Sequence, residues 1–198
     1  WNDLSGNGNN GTLMNGLGYN TDNNGSFVFD GSNDTVDCGP VPQVGSSLTG
    51  LTVSAWVYST SRNASLILEN GTDYVSNTFY MAQENDSYFS FLVYGASGHD
   101  RVDANYVYQL NTWYNLVGVW IPDQRVKFYT NGVLDIGATQ GSAIHTLRDG
   151  NTNLFVGSRA GTQYPFSGKI SNTKIYNRAL TAEEVKQNFE ATRSRYGI

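Results

Sequence analysis

The sequence predicts an all-β fold, a jelly-roll sandwich of two antiparallel sheets with one short C-terminal helix. Three observations predict it. Charged residues make up only 15% of the 198 residues, and the 22 glycines lie among abundant Asn, Thr and Ser, a composition typical of short strands joined by tight turns. Several segments alternate apolar and polar residues. One capping motif marks a helix near the end of the chain. A sandwich of this length forms one domain, which we assign to residues 1–198.

Four segments carry the strand prediction. Residues 51–58, 88–94 and 116–121 follow the period of two that is expected of strands in a sandwich. In the fourth, Asn131-Gly132 separates two apolar runs, at residues 126–129 and 133–136. This dipeptide predicts a two-residue hairpin, because a type I′ turn needs a positive φ at both central residues.

The C-terminal region combines a strand with a helix. Residues 166–177 are predicted to form a strand, and Thr181 with Glu184 forms a capping box that opens a helix. Val185 and Phe189 stand four residues apart and therefore share one helix face. We expect that narrow apolar face to pack on a sheet.

Five parts of the chain occur in the order found in one known family. They are residues 3–13, 27–34, 51–57, 112–114 with 127–133, and 166–170 with 175–185. On these segments the chain resembles the laminin G-like domains of the concanavalin A-like lectin/glucanase superfamily, which implies a concanavalin A-like jelly roll over nearly the whole chain. Its C-terminal segment also resembles laminin G-like domains predicted in virion proteins of marine bacteriophages. The superfamily includes lectins, glycosidases, lyases, adhesion modules and structural domains, so the resemblance leaves the function open.

Charge and hydropathy exclude two classes of partner. The net charge is −5 and the pI is near 4.8, whereas nucleic-acid binding requires a basic face. No apolar run approaches the roughly 20 residues that span a bilayer, so no membrane insertion is expected. Neither an initiating Met nor a signal peptide precedes Trp1, and we expect the chain to be processed or part of a longer protein. The single cysteine, Cys38, is expected to be a small buried residue.

The acidic residues offer little for catalysis. A retaining glycosidase needs two carboxyl groups about 5 Å apart, and the pair with suitable alternate spacing is Glu84 and Asp86, in a segment that resembles a turn. The two histidines, His99 and His145, lack the context of a catalytic triad, and His99 is expected on an exposed loop. The sequence therefore predicts that this protein is not an enzyme. A glycoside hydrolase or lyase is kept as the third alternative.

One loop could hold a metal. Calcium prefers six to eight oxygen ligands, and alternate residues of a glycine-rich loop offer them: Asp3, Ser5, Asn7 and Asn9. The family resemblance implies a structural calcium here, held partly by acids of the final strand, where this chain has Ser171 and Asn172. The predicted ligands are Asp3 and Asp30, and calcium is the one cofactor considered. Asx turns explain the same residues without a metal.

Aromatic residues make up 13% of the chain. Sugars bind to flat apolar surfaces flanked by polar groups that satisfy their hydroxyls. Four aromatic residues fall in family strand positions and are expected to pack in the interior: Trp56, Trp113, Phe128 and Phe155. Residues in or next to irregular segments are the candidate ligand contacts: Tyr74, Tyr80, Tyr94, His99, Arg101 and Tyr164. Aromatic-rich strands alone would also account for this second set.

Together these observations predict a non-catalytic carbohydrate-binding or adhesion module, displayed extracellularly or on a virion surface. Its expected partner is a glycan or a cell-surface polysaccharide. The alternative is a structural or decoration domain of a phage capsid or tail protein that contacts other virion proteins.

Overall fold

The computed structural model describes residues 1–41, 44–73, 76–85, 88–149 and 152–198. Fifteen strands and one α-helix lie within these ranges. The first eight strands are β1 (Thr12–Met14), β2 (Gly18–Asn20), β3 (Ser26–Asp30), β4 (Thr35–Pro40), β5 (Leu51–Ser59), β6 (Ser65–Asn70), β7 (Phe79–Gln83) and β8 (Phe89–Gly95). They are followed by β9 (Gly98–Asp103), β10 (Trp113–Trp120), β11 (Lys127–Thr130), β12 (Val133–Asp135), β13 (Thr139–Gly141), β14 (Asn153–Val156), β15 (Ser167–Tyr176) and α1 (Ala182–Glu190).

The strands form two antiparallel sheets. The eight-stranded sheet has the order β1-β4-β14-β6-β7-β8-β9-β13, and the seven-stranded sheet has the order β12-β11-β10-β5-β15-β3-β2. The all-β prediction of two antiparallel sheets is therefore confirmed. Neighbours in each sheet are often distant in sequence, as where β15 lies between β5 and β3, which is the connectivity expected of a jelly roll.

The local sequence signals lie where the elements form. The predicted strand segments correspond to β5, β8, β10 and β15. Asn131 and Gly132 join β11 to β12 with φ values of 51° and 75°, while Thr130 pairs with Val133. The two-residue hairpin is thus confirmed, and its positive φ angles explain the Asn-Gly dipeptide.

The main core lies between the two sheets. Alternate residues of β7 and β8, such as Phe79 and Phe91, meet alternate residues of β5, such as Val53 and Val57. Gly118 of β10 faces Phe91 so closely that a Cβ at this position would lie 2.4 Å from the ring. The absence of a side chain at residue 118 therefore gives the ring its place in the core.

The outer face of the seven-stranded sheet is covered by the C-terminal region. The side chain of Thr181 accepts a hydrogen bond from the Glu184 amide, and the Glu184 carboxylate accepts one from the Thr181 amide, which confirms the capping box. Val185 packs with residues of β10 and β11. Phe189 packs with Trp56, as the shared helix face predicts.

The predicted interior aromatics are all buried, but they lie in different places. Phe128 belongs to the core between the sheets. Trp56 and Trp113 instead lie beneath the C-terminal region, where Trp56 stacks on Tyr196 with ring centroids 3.8 Å apart. Phe155 faces the outside of the eight-stranded sheet, because Leu154 and Val156 on either side of it point into the core. Among the described residues no helix is long and apolar enough to cross a membrane.

Candidate functional site

The helices of the described residues all lie on the side of the seven-stranded sheet, which leaves the outer face of the eight-stranded sheet without a covering helix. In its central strands Phe79, Met81 and Val102 point into the core, so their neighbours along the strands point outward. Cross-strand pairing aligns one outward residue from each of five adjacent strands, β6, β7, β8, β9 and β13. We call these residues the outer row: Glu69, Tyr80, Leu92, Arg101 and Gln140.

Arg101 is the centre of a charged network on this face. Its Nε lies 2.5 Å from Asp103 Oδ1, its Nη2 lies 3.0 Å from Glu84 Oε1, and its Nη1 donates to the Tyr80 hydroxyl at 3.3 Å. Ser90 Oγ donates to Glu84 at 2.7 Å. Burial raises the pKa of Tyr80, so its phenol stays neutral. These contacts use three of the five guanidinium donors and fix the Arg101 side chain in one position.

Tyr94 and His99 form a second cluster next to this network. They are directly paired between β8 and β9, with ring centroids 6.2 Å apart. The Arg148 guanidinium lies over the Tyr94 ring at 5.1 Å, within the range of a cation–π contact, and the Tyr80 ring is 6.4 Å away. The prediction that His99 lies on an exposed loop is wrong. His99 is partly buried and lies on β9, because the pairing of β9 with β8 extends to Gly98.

Tyr164 reaches the same face from the loop between β14 and β15. Its side chain is partly exposed and lies over the Arg159 guanidinium at 5.3 Å. Arg159 donates from Nη2 to Glu69 at 2.7 Å and from Nε to both Glu69 oxygens at 3.0 Å. Asn77 also donates to Glu69, at 2.6 Å. Tyr164 is therefore linked through a buried ion pair to the outer row.

Five of the six predicted ligand contacts thus lie on or beside one face of one sheet: Tyr80, Tyr94, His99, Arg101 and Tyr164. Tyr74 lies outside the described residues. That any of these residues contacts a sugar stays a prediction. Sequence reasoning missed Glu69, Arg148 and Arg159. A possible signal for Glu69 is its place directly after the apolar run of residues 66–68, since a charge inside a buried strand requires a partner.

The two predicted calcium ligands each accept hydrogen bonds from nearby residues. Asp3 is occupied within its own loop, where its carboxylate accepts from the Ser5 amide, the Ser5 hydroxyl and the Asn9 amide. The bonds from Ser5 and Asn9 lower the pKa of Asp3. Asp30 lies at the end of β3 and caps the Ser32 amide. No group of three His, Cys, Asp or Glu residues within the described ranges is arranged to hold a metal. Calcium at this loop stays a prediction.

The other titratable candidates have local partners. The carboxylate of Glu84 is held by Arg101 and Ser90, and Asp86 lies outside the described residues. His145 is exposed and pairs with Asp123 at 2.8 Å. The prediction that this protein is not an enzyme rests on the sequence reasoning.

Comparison with solved structures identifies the same fold in larger binding domains and in a pentraxin. The binding domain of botulinum neurotoxin serotype G matches 97% of this chain and 48% of its own at 16% identity, with a TM-score of 0.73. The binding domain of Paraclostridial Mosquitocidal Protein 1 matches 96% of this chain and 49% of its own at 14% identity, with a TM-score of 0.76. The heptameric SAP-like pentraxin from Limulus polyphemus matches 81% of this chain and 79% of its own at 20% identity, with a TM-score of 0.61.

The TM-scores of 0.61–0.76 show a shared fold. The chain spans about half the length of the toxin binding domains that it matches. No curated protein shows a significant match to the sequence. A family model does match, over residues 30–186, and its description is the concanavalin A-like lectin/glucanases superfamily. That match covers most of the two sheets and the start of α1. The chain therefore belongs to the laminin G-like domains of the concanavalin A-like lectin/glucanase superfamily.

Proposed function

We propose that this domain is a non-catalytic carbohydrate-binding or adhesion module that contacts a glycan with the outer face of its eight-stranded sheet. One observation carries the proposal. Tyr80, Tyr94, His99 and Arg101, which the sequence indicates as sugar contacts, lie together on β7, β8 and β9, on the sheet face without a helix. The fold shared with toxin binding domains and a pentraxin is consistent with a binding role.

The chemistry of this face suits a hydroxyl-rich ligand. Tyr94 and Tyr164 offer aromatic rings for the C–H face of a sugar. Arg101 supplies donors, while Glu84 and Asp103 supply acceptors, and the contacts among these three side chains already fix their positions. A preformed set of polar groups reduces the entropy lost on binding. Neighbouring groups of both signs favour a neutral or weakly charged polysaccharide.

A glycan array probed with and without calcium tests the proposal, with variants compared on the best hit. We expect Tyr94→Ala to weaken binding at least about tenfold, which corresponds to about 1.4 kcal/mol. Tyr19→Ala is the matched control, because Tyr19 is an exposed tyrosine on β2 of the other sheet. An array without hits, or equal losses for the two variants, would contradict a glycan site on this face.

A second role is favoured by a different surface. The edge strand β12 and the residue following it expose three apolar side chains, Val133, Leu134 and Ile136, and exposed apolar groups at a sheet edge are suited to protein contacts. These residues support the alternative of a structural or decoration domain on a virion. A silent glycan array together with specific binding of the domain to assembled phage particles would favour that role and a virion location.

A further inference from the structure

A small cavity lies between the outer face of the seven-stranded sheet and the C-terminal helix. Its volume is about 10 Å³, close to the minimum that holds one water molecule or one ion of similar size. β5, β10 and β15 form its floor, while α1 and Thr192 just beyond it contribute to its roof. Every residue that lines it falls between Ser54 and Thr192, so the body of the domain encloses it. We call it the helix cavity.

Strand pairing brings the polar residues of the floor together. Lys174 of β15 lies directly opposite Ser54 of β5. Asn115 of β10 lies opposite Trp56, two residues further along β5. The pairing of β15 shifts register just before Lys174, at Asn172, which has a φ of 48°. Such a bulge changes the direction of side chains, and here both Asn172 and Lys174 line the helix cavity.

Some polar groups around the helix cavity bind one another. Trp56 Nε1 donates to Thr192 Oγ1 at 3.3 Å, and that hydroxyl donates to the Asn188 carbonyl at 2.9 Å. The Asn188 side chain also forms a hydrogen bond with Tyr176. These lining residues are therefore satisfied within the protein.

Four other lining side chains make no hydrogen bond or ion pair with any described residue: Ser54, Asn115, Asn172 and Lys174. Asn115 is only 5% exposed. Buried polar side chains nearly always have a hydrogen-bond partner. The lining of the helix cavity is thus suited to a small polar or charged species bound among these four side chains.

The charge of this lining is positive. Lys174 is partly buried, and burial and the neighbouring Arg195 guanidinium both lower the pKa of Lys174. Within the described ranges no carboxylate lines the helix cavity. A desolvated ammonium without an opposite charge is costly, and ammonium, side-chain amide and hydroxyl groups all supply hydrogen-bond donors. An anion meets both requirements, whereas a metal cation would be repelled.

From these features we infer that the helix cavity binds one monatomic anion, chloride, with Lys174 as its counter-ion. The amides of Asn115 and Asn172 and the hydroxyl of Ser54 supply further donors. Phosphate, sulfate and carboxylates need more room than a space for about one water molecule. A water molecule satisfies the donors but leaves the charge of Lys174 uncompensated. Because the floor strands and α1 meet at this cavity, the bound ion stabilises the docking of the helix on the sheet.

Thermal unfolding in chloride tests this inference. The probe is sodium chloride, exchanged for sodium gluconate at constant ionic strength, because gluconate is too large for the helix cavity. We expect the melting temperature to rise saturably with chloride by about 2–4 °C. Bromide should replace chloride, and crystals grown in bromide should show an anomalous scattering peak beside Lys174.

Variants of the protein identify the residues responsible. Lys174→Met should abolish the rise with chloride. Lys186→Met is the matched control and should retain it, because Lys186 is exposed on α1. Asn115→Asp supplies a fixed negative charge on the lining and should also make the melting temperature independent of chloride. Circular dichroism shows whether each variant folds, and the bromide peak in the unaltered protein does not depend on any variant.

Three results would overturn the inference. The first is a melting temperature of the unaltered protein that does not change with chloride. The second is an equal rise with chloride in Lys174→Met and Lys186→Met. The third is a helix cavity without an anomalous peak in bromide, which would assign it to water. None of these results bears on glycan binding by the eight-stranded sheet, so this inference and the proposed function can fail separately.

Discussion

Replacing Arg159 by Met should cost the domain about 3–5 kcal/mol of unfolding free energy, because it leaves the Glu69 carboxylate buried without its cation. The side chains of Glu69 and Arg159 are 0% and 5% exposed, respectively. Arg159 contributes three close contacts to Glu69, between 2.7 and 3.0 Å. After the substitution, Asn77 is the remaining hydrogen-bond donor to Glu69 in the described residues. The expected loss is a large part of the roughly 5–15 kcal/mol that stabilises a typical domain.

The effect of pH follows from the pKa of Glu69. Burial already raises that pKa in the folded protein above its usual value of 4.5, and Arg159 acts in the opposite direction. In Arg159→Met the lowering contribution is lost, so the folded-state pKa rises further. An acid whose folded pKa is raised destabilises the fold above its unfolded pKa, and the penalty falls as the pH drops through the folded pKa. The deficit of the variant should therefore be smaller at pH 5 than at pH 7.

Urea unfolding followed by tryptophan fluorescence measures both effects. The double variant Glu69→Met with Arg159→Met is the matched comparison. It removes both charges and keeps apolar volume, and such replacements are often close to neutral. We expect it to be more stable than Arg159→Met alone. The contrary outcome is that Arg159→Met lowers the unfolding free energy by less than about 1 kcal/mol, or by an amount independent of pH. Either result would refute the view that Arg159 compensates the buried charge of Glu69.

Three further predictions address the core, the helix and the metal. Gly118→Ala should lower the free energy of unfolding, measured in urea, by about 1–3 kcal/mol, because the new Cβ would lie 2.4 Å from the Phe91 ring. Adding Phe91→Leu should recover part of that loss. A Gly118→Ala variant as stable as the original protein would contradict this packing. Thr181→Ala should cost about 1 kcal/mol through loss of the cap, while Thr181→Ser should retain it. Arg178 lowers the pKa of Glu184 to about 2, so the stability that this carboxylate contributes should be complete above its usual pKa of 4.5 and be lost progressively as the pH falls from 4.5 toward 2. EDTA tests the calcium prediction for the Asp3 loop: an unchanged melting temperature would contradict a structural calcium, whereas a fall that added calcium reverses would support one.

Local signals in the sequence predict the elements whose geometry is decided by adjacent residues. The Asn131-Gly132 turn needs two positive φ angles, and few other dipeptides supply them. The capping box depends on two side chains three residues apart. Neither feature requires knowledge of distant contacts, which is why both could be read directly from the chain.

Features that depend on distant residues could not be predicted in the same way. Glu69 and Arg159 are 90 residues apart in sequence, and nothing near either residue identifies its partner. His99 follows a glycine and precedes an aspartate, which favours a loop, but pairing of β9 with both β8 and β13 makes this segment a strand. The alternation of apolar and polar residues in β5 predicts that Trp56 is buried. It does not predict that Tyr196 covers Trp56 in place of the opposite sheet, because that depends on the path of the C-terminal region.

The candidate ligand contacts were predicted because they lie in or next to irregular segments of the sequence. The structure places Tyr94, His99 and Arg101 on a single β8–β9 hairpin, where alternate residues share one face. Tyr164 and Arg159 come from a loop distant in sequence, and they approach the outer row because β14 pairs with β6 in the same sheet. The residue types of the candidate site could therefore be predicted from the sequence, while the strand pairing that brings them together could not.

The two outer faces of the sandwich use their aromatic residues in opposite ways. On the seven-stranded sheet, Trp56 and Trp113 are covered by Phe189 and Tyr196, an apolar arrangement that stabilises the fold. On the eight-stranded sheet, tyrosines instead lie beside charged side chains such as Arg101. Stability alone does not account for these charges, because buried ion pairs add little net stability compared with apolar residues of similar volume. The glycan site proposed on the eight-stranded sheet would give these fixed donors and acceptors a role, and the loss of glycan binding expected for Tyr94→Ala tests that role.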